Sequence, residues 1–82
     1  MTHDEAIERV AELAGGRHCC VDLSRECNLT TGSGTETVYK AYISGLDGIM
    51  GGKKMWGWCF GSSFEDVVAQ VERAVKELGF AD

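Results

Sequence analysis

Two hydrophobic periods alternate along this chain, and the switch between them divides it into elements. Ala6, Ile7, Val10, Leu13 and Ala14 recur at helical spacing, while Glu8, Arg9 and Glu12 fall largely outside that stripe. Thr2 is placed to cap this helix, with Glu5 at capping-box distance, and Gly15-Gly16 stops it because glycine takes the left-handed position after a helix cheaply. The pattern predicts a helix over 3–14. Over 17–27 the period becomes two: Cys19, Val21 and Leu23 share one face, and His18, Cys20, Asp22, Ser24 and Glu26 the other. A polar turn, 28–34, containing Gly32-Ser33-Gly34, leads to a second strand over 35–44. Its more apolar face is Tyr39, Ala41 and Ile43, and its mixed face is Glu36, Val38, Lys40 and Tyr42.

A loop with four glycines, Gly45, Gly48, Gly51 and Gly52, leads to a third strand expected over 54–60. The two faces of that strand are unequal: Met55, Gly57 and Cys59 are small or flexible, while Lys54, Trp56, Trp58 and Phe60 are bulky. Helical spacing returns with Phe64, Val67, Val68, Val71, Ala74, Val75 and Leu78, capped by Ser62 or Ser63 and stopped by Gly79, which predicts a helix over 63–78. Phe80 can fold back onto its last turn. The order is α-β-β-β-α. The economical packing is an α+β fold, a three-stranded antiparallel sheet with both helices on one face. At 82 residues this is a single domain, 1–82, with a thin core.

The aromatic third strand admits two arrangements. Trp56, Trp58 and Phe60 can point into the helices and form the core. Alternatively the small face packs beneath the helices, where Gly57 permits close approach. The aromatics then stand on the open face beside Val38, Lys40 and Tyr42. Aromatics in a polar rim are typical of interaction hot spots, and an exposed apolar patch marks a partner or subunit interface. The expected interaction face is therefore Val38, Lys40, Tyr42, Trp56, Trp58 and Phe60. The chain reads as a non-enzymatic protein-interaction module whose partner is a second copy of itself or another protein.

Charge and chemistry narrow this reading. The net charge of −5 opposes nucleic acid as the main partner. No apolar run approaches the ~20 residues a bilayer span needs, and the polar start, Met1-Thr2-His3-Asp4-Glu5, has no signal-peptide pattern, so a cytoplasmic protein without membrane attachment is expected. Cys19, Cys20, Cys27 and Cys59 with His18 could in principle supply tetrahedral zinc ligands, but no C-x₂-C knuckle exists, and Cys19 and Cys20 point to opposite strand faces. Packing is the simpler role for Cys19 and Cys59. The glycine loop fails as a phosphate cradle: the position five before Gly52-Lys53 is Asp47, and Lys54 stands where Ser or Thr is required. Ile49 and Met50, unusual at a solvated tip, suggest that the loop folds back or touches a partner. Cys20 and His18 form at most an incomplete nucleophile pair. Neither an enzymatic centre, nor a metal, nor a cofactor is expected. A zinc-stabilised or thiol-active protein stays as an alternative.

The order α-β-β-β-α resembles that of the double-stranded-RNA-binding domain. That family carries lysines at the start of its last helix, where the helix dipole favours phosphate; this chain has Ser62-Ser63-Phe64-Glu65-Asp66 there. That departure removes the family's main RNA contact, so the resemblance implies the topology and not the function; a nucleic-acid-binding domain of this topology, with Lys40, Lys53 and Lys54 as contacts, stays as an alternative. Val38-Tyr39-Lys40-Ala41-Tyr42-Ile43, a glycine turn, a strand and Ser63-Phe64-Glu65-Asp66-Val67-Val68 also resemble small phage and bacterial proteins of this topology, which implies an accessory role without an assigned activity.

Overall fold

A computed structural model describes residues 1–28, 34–50 and 52–80, and of residues 26–28, 34–35 and 53 the backbone only. Residues 29–33 of the turn expected over 28–34, Gly51 and the side chains of Glu26, Cys27 and Lys53 lie outside the described residues, and the backbone at 28 and 34 belongs to the flanking strands. The elements in chain order are α1 (His3–Ala14), β1 (Cys19–Asn28), β2 (Gly34–Ile43), β3 (Ile49–Met50), β4 (Lys53–Lys54), β5 (Trp58–Gly61) and α2 (Phe64–Leu78). One antiparallel sheet has the order β1-β2-β5, and β3 and β4 form a separate two-stranded hairpin. The α+β architecture expected from the periodicity is present.

Both helices begin where the capping residues stand. Glu5 N–H donates to Thr2 Oγ1 at 3.2 Å, and Thr2 N–H donates to Glu5 Oε1 at 2.8 Å, which completes the reciprocal box. Asp66 N–H donates to Ser63 Oγ at 3.0 Å, while Asp66 Oδ2 accepts from Ser62 N–H at 2.8 Å. The left-handed Gly15 closes α1. At the α2 end, Gly79 N–H bonds Val75 O at 3.0 Å. Phe80 is partly buried on the core beyond it, beneath the Arg17 guanidinium, whose carbon lies 3.8 Å from the ring centroid.

The core lies between the helices and one sheet face. Ala6, Val10 and Ala14 from α1 and Val67, Val68, Val71 and Ala74 from α2 meet Val21, Ala41, Ile43 and Cys59 from the sheet. All four sheet residues belong to the small or apolar faces read from the alternation. Leu46 joins them at 1% exposure, although the sequence pattern places it in a glycine loop. Leu23 departs in the other direction: it shares a face with Val21 but is 52% exposed. The β1–β2 ladder is ten pairs long and β5 covers only the four from Tyr39 to Tyr42, so Leu23 sits where the layered structure is already thinning.

The third strand needs a correction. The stretch 54–60 is not one strand. Lys54 belongs to the β3–β4 hairpin, Met55 N–H bonds Gly48 O at 2.9 Å, and Trp58 N–H bonds Met55 O at 2.9 Å, a turn that separates the two strands. Trp56 and Gly57 both take positive φ, 52° and 84°. Alternation stops at such a turn, so Trp56 does not share a strand face with Trp58 and Phe60. The hairpin explains the apolar pair in the glycine loop: Met50 packs back against the core, while Ile49 stays 69% exposed.

Candidate interaction face

The sheet has one face under the helices and one face open. Register determines which side chains share the open one. Cys20, Tyr42 and Trp58 lie side by side across the three strands, and Asp22, Lys40 and Phe60 form the next row. Val38 follows on β2, opposite Ser24, where β5 has ended. Of the expected face, Val38, Lys40, Tyr42, Trp58 and Phe60 are thus brought together by one strand pairing. The second of the two arrangements, with the aromatics away from the helices, is the one the fold adopts.

The side chains form a line of rings. Tyr42 and Trp58 have centroids 5.2 Å apart at 45°, and Trp58 and Phe60 have centroids 6.4 Å apart with planes only 19° from parallel. His18 adds a ring at the near end, 6.3 Å from Tyr42 at 58°. Alternation places His18 on this face, and its ring contact with Tyr42 adds it to the aromatic line. Phe60 is 56% exposed and Trp58 is half-buried. Lys40, Trp58 and Phe60 line a small, mostly apolar cleft of about 130 Å³. Past Phe60 a second depression, about 320 Å³, is lined by Val38, Glu36, Gly61 and Asp66 among others, so the far end of the face turns polar and acidic.

Trp56 stands at the opposite end of this line, in the turn, and is 69% exposed. It is the only non-glycine residue with positive φ among the described residues. Lys54 Nζ lies 5.0 Å from its ring centroid and also pairs with Asp47 at 3.1 Å. The turn is pressed onto the sheet beside Tyr42. Ile43 N–H bonds Gly57 O at 3.0 Å, and a β-carbon at position 57 would lie 2.7 Å from the Tyr42 ring and 2.8 Å from the Ile43 carbonyl oxygen. Only glycine can occupy that place without displacing backbone.

Of the described thiols, Cys59 and Cys19 are placed for packing, and Cys20 stands on the open face. Cys59 is buried, and burial pushes its pKa up to about 11. Cys20 is raised too, first by partial burial and then by Asp22, whose Oδ2 lies 3.7 Å from its sulfur. Neither has the cationic setting that makes a reactive thiolate. Among the described residues no three of His, Cys, Asp and Glu converge as a metal site would require. No described helix is long and apolar enough to cross a membrane.

No protein family, curated protein or solved structure matches this chain.

Proposed function

We propose that this protein is a non-enzymatic interaction module that pairs with a second copy of itself through the open sheet face. The observation that carries the reading is the row Tyr42, Trp58 and Phe60, bordered by Val38 and Lys40 and covered by neither helix. Burying aromatic rings contributes more per residue than burying other surface, and aromatic residues are the commonest anchors of interfaces. A strand face that spends its large residues outward while a glycine and a cysteine face the helices has its apolar area on the wrong side for its own core. That distribution is favourable when a partner covers it.

A protein partner fits the electrostatics better than RNA. The chain is acidic overall, at −5. The α2 N-terminus is occupied by its own acids: Asp66 is held below the usual carboxylate range by bonds from Ser62. A phosphate arriving there would meet Glu65 and Asp66.

Native mass spectrometry with light scattering over a concentration series tests the reading. A dimer is expected, with Trp58→Ala shifting the population to folded monomer. A strictly monomeric wild type across that series, or a Trp58→Ala variant that still dimerises, overturns self-association. Salt-dependent binding of a nucleic acid near physiological ionic strength would favour the alternative instead.

A further inference from the structure

The sheet order β1-β2-β5 leaves one side of β1 with no described strand beyond it. Two bonds fix which peptide groups face that side. Ser44 N–H donates to His18 O at 2.8 Å on the β2 side, and peptide groups two residues apart along a strand point the same way, so the even residues of β1 face β2. Val21 O faces outward and meets His3 Nε2. Leu23 and every second residue after it therefore turn N–H and C=O outward. The helix layer ends at the same level: His3 is the first residue of α1, and Val21 is the last β1 residue in the core. β1 runs on to Asn28 beside β2 alone, because β5 reaches no further than Tyr39, opposite Leu23. A two-stranded ribbon is marginal by itself, and a third strand stabilises it. Leu23, 52% exposed, stands at the root of this ribbon and carries an apolar side chain and an outward peptide group together.

We infer that β1 from Leu23 onward takes an extended segment of another protein as an added antiparallel strand, with an apolar residue opposite Leu23, an acidic one opposite Arg25 and a basic one opposite Asp22. Main-chain bonds hold a strand added to a sheet edge, and the side-chain pairs select it. Leu23 and Arg25 lie on the helix side of the sheet and Asp22 on the open side, so the added strand is read on both faces. Arg25 is fixed by a bond from NH1 to Thr37 Oγ1 at 2.9 Å. The site is separate from the open face and does not rest on pairing through it.

A second copy does not suit this edge. A two-fold axis perpendicular to the sheet sets two β1 edges antiparallel, and it must pass between two copies of the same residue for the faces to match. Centred on Asp22 or on Arg25, it places like charges opposite each other; centred on Ser24, it places Asp22 opposite Glu26. Centred on Leu23, it requires Val21 to pair with Arg25 of the second copy, and His3 already stands against Val21 O in the path of that strand. Charge and a blocking side chain are the usual devices by which an edge strand rejects its own copy. Here they leave the outer half of the edge open to a segment of complementary charge.

The probe is the end-blocked hexapeptide Thr-Lys-Glu-Thr-Val-Lys, whose antiparallel register sets valine opposite Leu23, glutamate opposite Arg25 and the last lysine opposite Asp22. Titrated into the isotope-labelled full chain, it is expected to move the Leu23 and Arg25 amide resonances and slow their hydrogen exchange, saturating by about 1 mM. The charge-exchanged peptide Thr-Glu-Lys-Thr-Val-Glu should bind at least about 10-fold more weakly. Leu23→Pro removes an outward N–H and no bond to β2, so it should abolish binding. Trp58→Ala should bind the first peptide as the wild type does, whatever becomes of self-pairing. Unmoved β1 amides up to about 5 mM peptide, equal affinity for the two peptides, or β1-to-β1 cross-links between copies overturn the inference. Shifts confined to Tyr42, Trp58 and Phe60 also overturn it and assign the peptide to the open face.

Discussion

At position 57 the choice of residue is imposed by two constraints that act together. A side chain there would strike the Tyr42 ring and the Ile43 carbonyl, and φ is 84°. Gly57→Ala should therefore cost more than the ~1–2 kcal/mol of a left-handed alanine alone, which a thermal or denaturant melt would read as a clear loss of stability. The neighbouring residue behaves oppositely. Trp56 pays the left-handed cost without any contact in the core, so Trp56→Gly should raise the stability of the monomer by about 1 kcal/mol. A lower midpoint would mean that Trp56 supports its own fold. Leu46 carries the largest hidden contribution of the glycine loop. At 1% exposure, Leu46→Ala should cost about 2–5 kcal/mol, a value the sequence pattern around it would not suggest. Cys59, buried and with its thiol near 11, should resist alkylation at pH 8 until the protein unfolds; rapid labelling of the folded chain, followed by mass spectrometry, would contradict its place beneath the helices.

Among the elements, the helices owe their starts to carboxylates as much as to their apolar stripes. Glu5 is held below its ordinary value by bonds from Thr2, and Asp66 by bonds from Ser62. A carboxylate with a depressed folded pKa stabilises the fold above its unfolded pKa and loses that contribution as the pH falls through the folded value. The unfolded values are 4.5 for Glu5 and 3.8 for Asp66, so the loss begins below those pH values. The double variant Glu5→Gln, Asp66→Asn should melt less steeply with acid than the wild type; identical pH profiles would remove the caps from acid unfolding. The sheet shows a different economy. β5 is four residues long because Trp56-Gly57 bounds it at one end, and at the other Gly61 lies so close to α2 that a β-carbon would come within 2.6 Å of the Val67 nitrogen. Its brevity limits the unpaired edge it exposes.

For the whole molecule the decisive feature is the division of large and small residues between the two sides of one sheet. Helices on one side, rings on the other, and a thin layered body of 38 × 30 × 17 Å leave the aromatic row without an internal partner. A domain of this size has little core to spare, and pairing of two copies would add stability that depends on protein concentration. The melting midpoint of the wild type should accordingly rise with concentration, while that of Trp58→Ala should not; a concentration-independent wild-type midpoint would argue against pairing.

The two helices, the first two strands, their order and the faces those elements bury follow from local pattern, because period, caps and stop residues are encoded within a few positions of where they act. His3–Ala14 and Phe64–Leu78 match the helices read from the chain nearly end to end for that reason. The alternation also grouped Val38, Lys40 and Tyr42 correctly. What it left open was which face of the third strand lies beneath the helices, because a strand that is large on one face and small on the other satisfies either packing. That was decided by how close α2 and the Tyr42 side come to Gly61 and Gly57. The position of Trp56 was likewise a tertiary matter. The alternation of large and small residues from Lys54 to Phe60 reads as one strand, but the pairing of Lys54 with Ile49 and the docking of Gly57 on Tyr42 require a turn between them. Periodicity is a property of neighbours in the chain; the burial of Leu46, the exposure of Leu23 and the swing of Trp56 out of the strand depend on what lies across the fold, which neighbours in the chain do not specify.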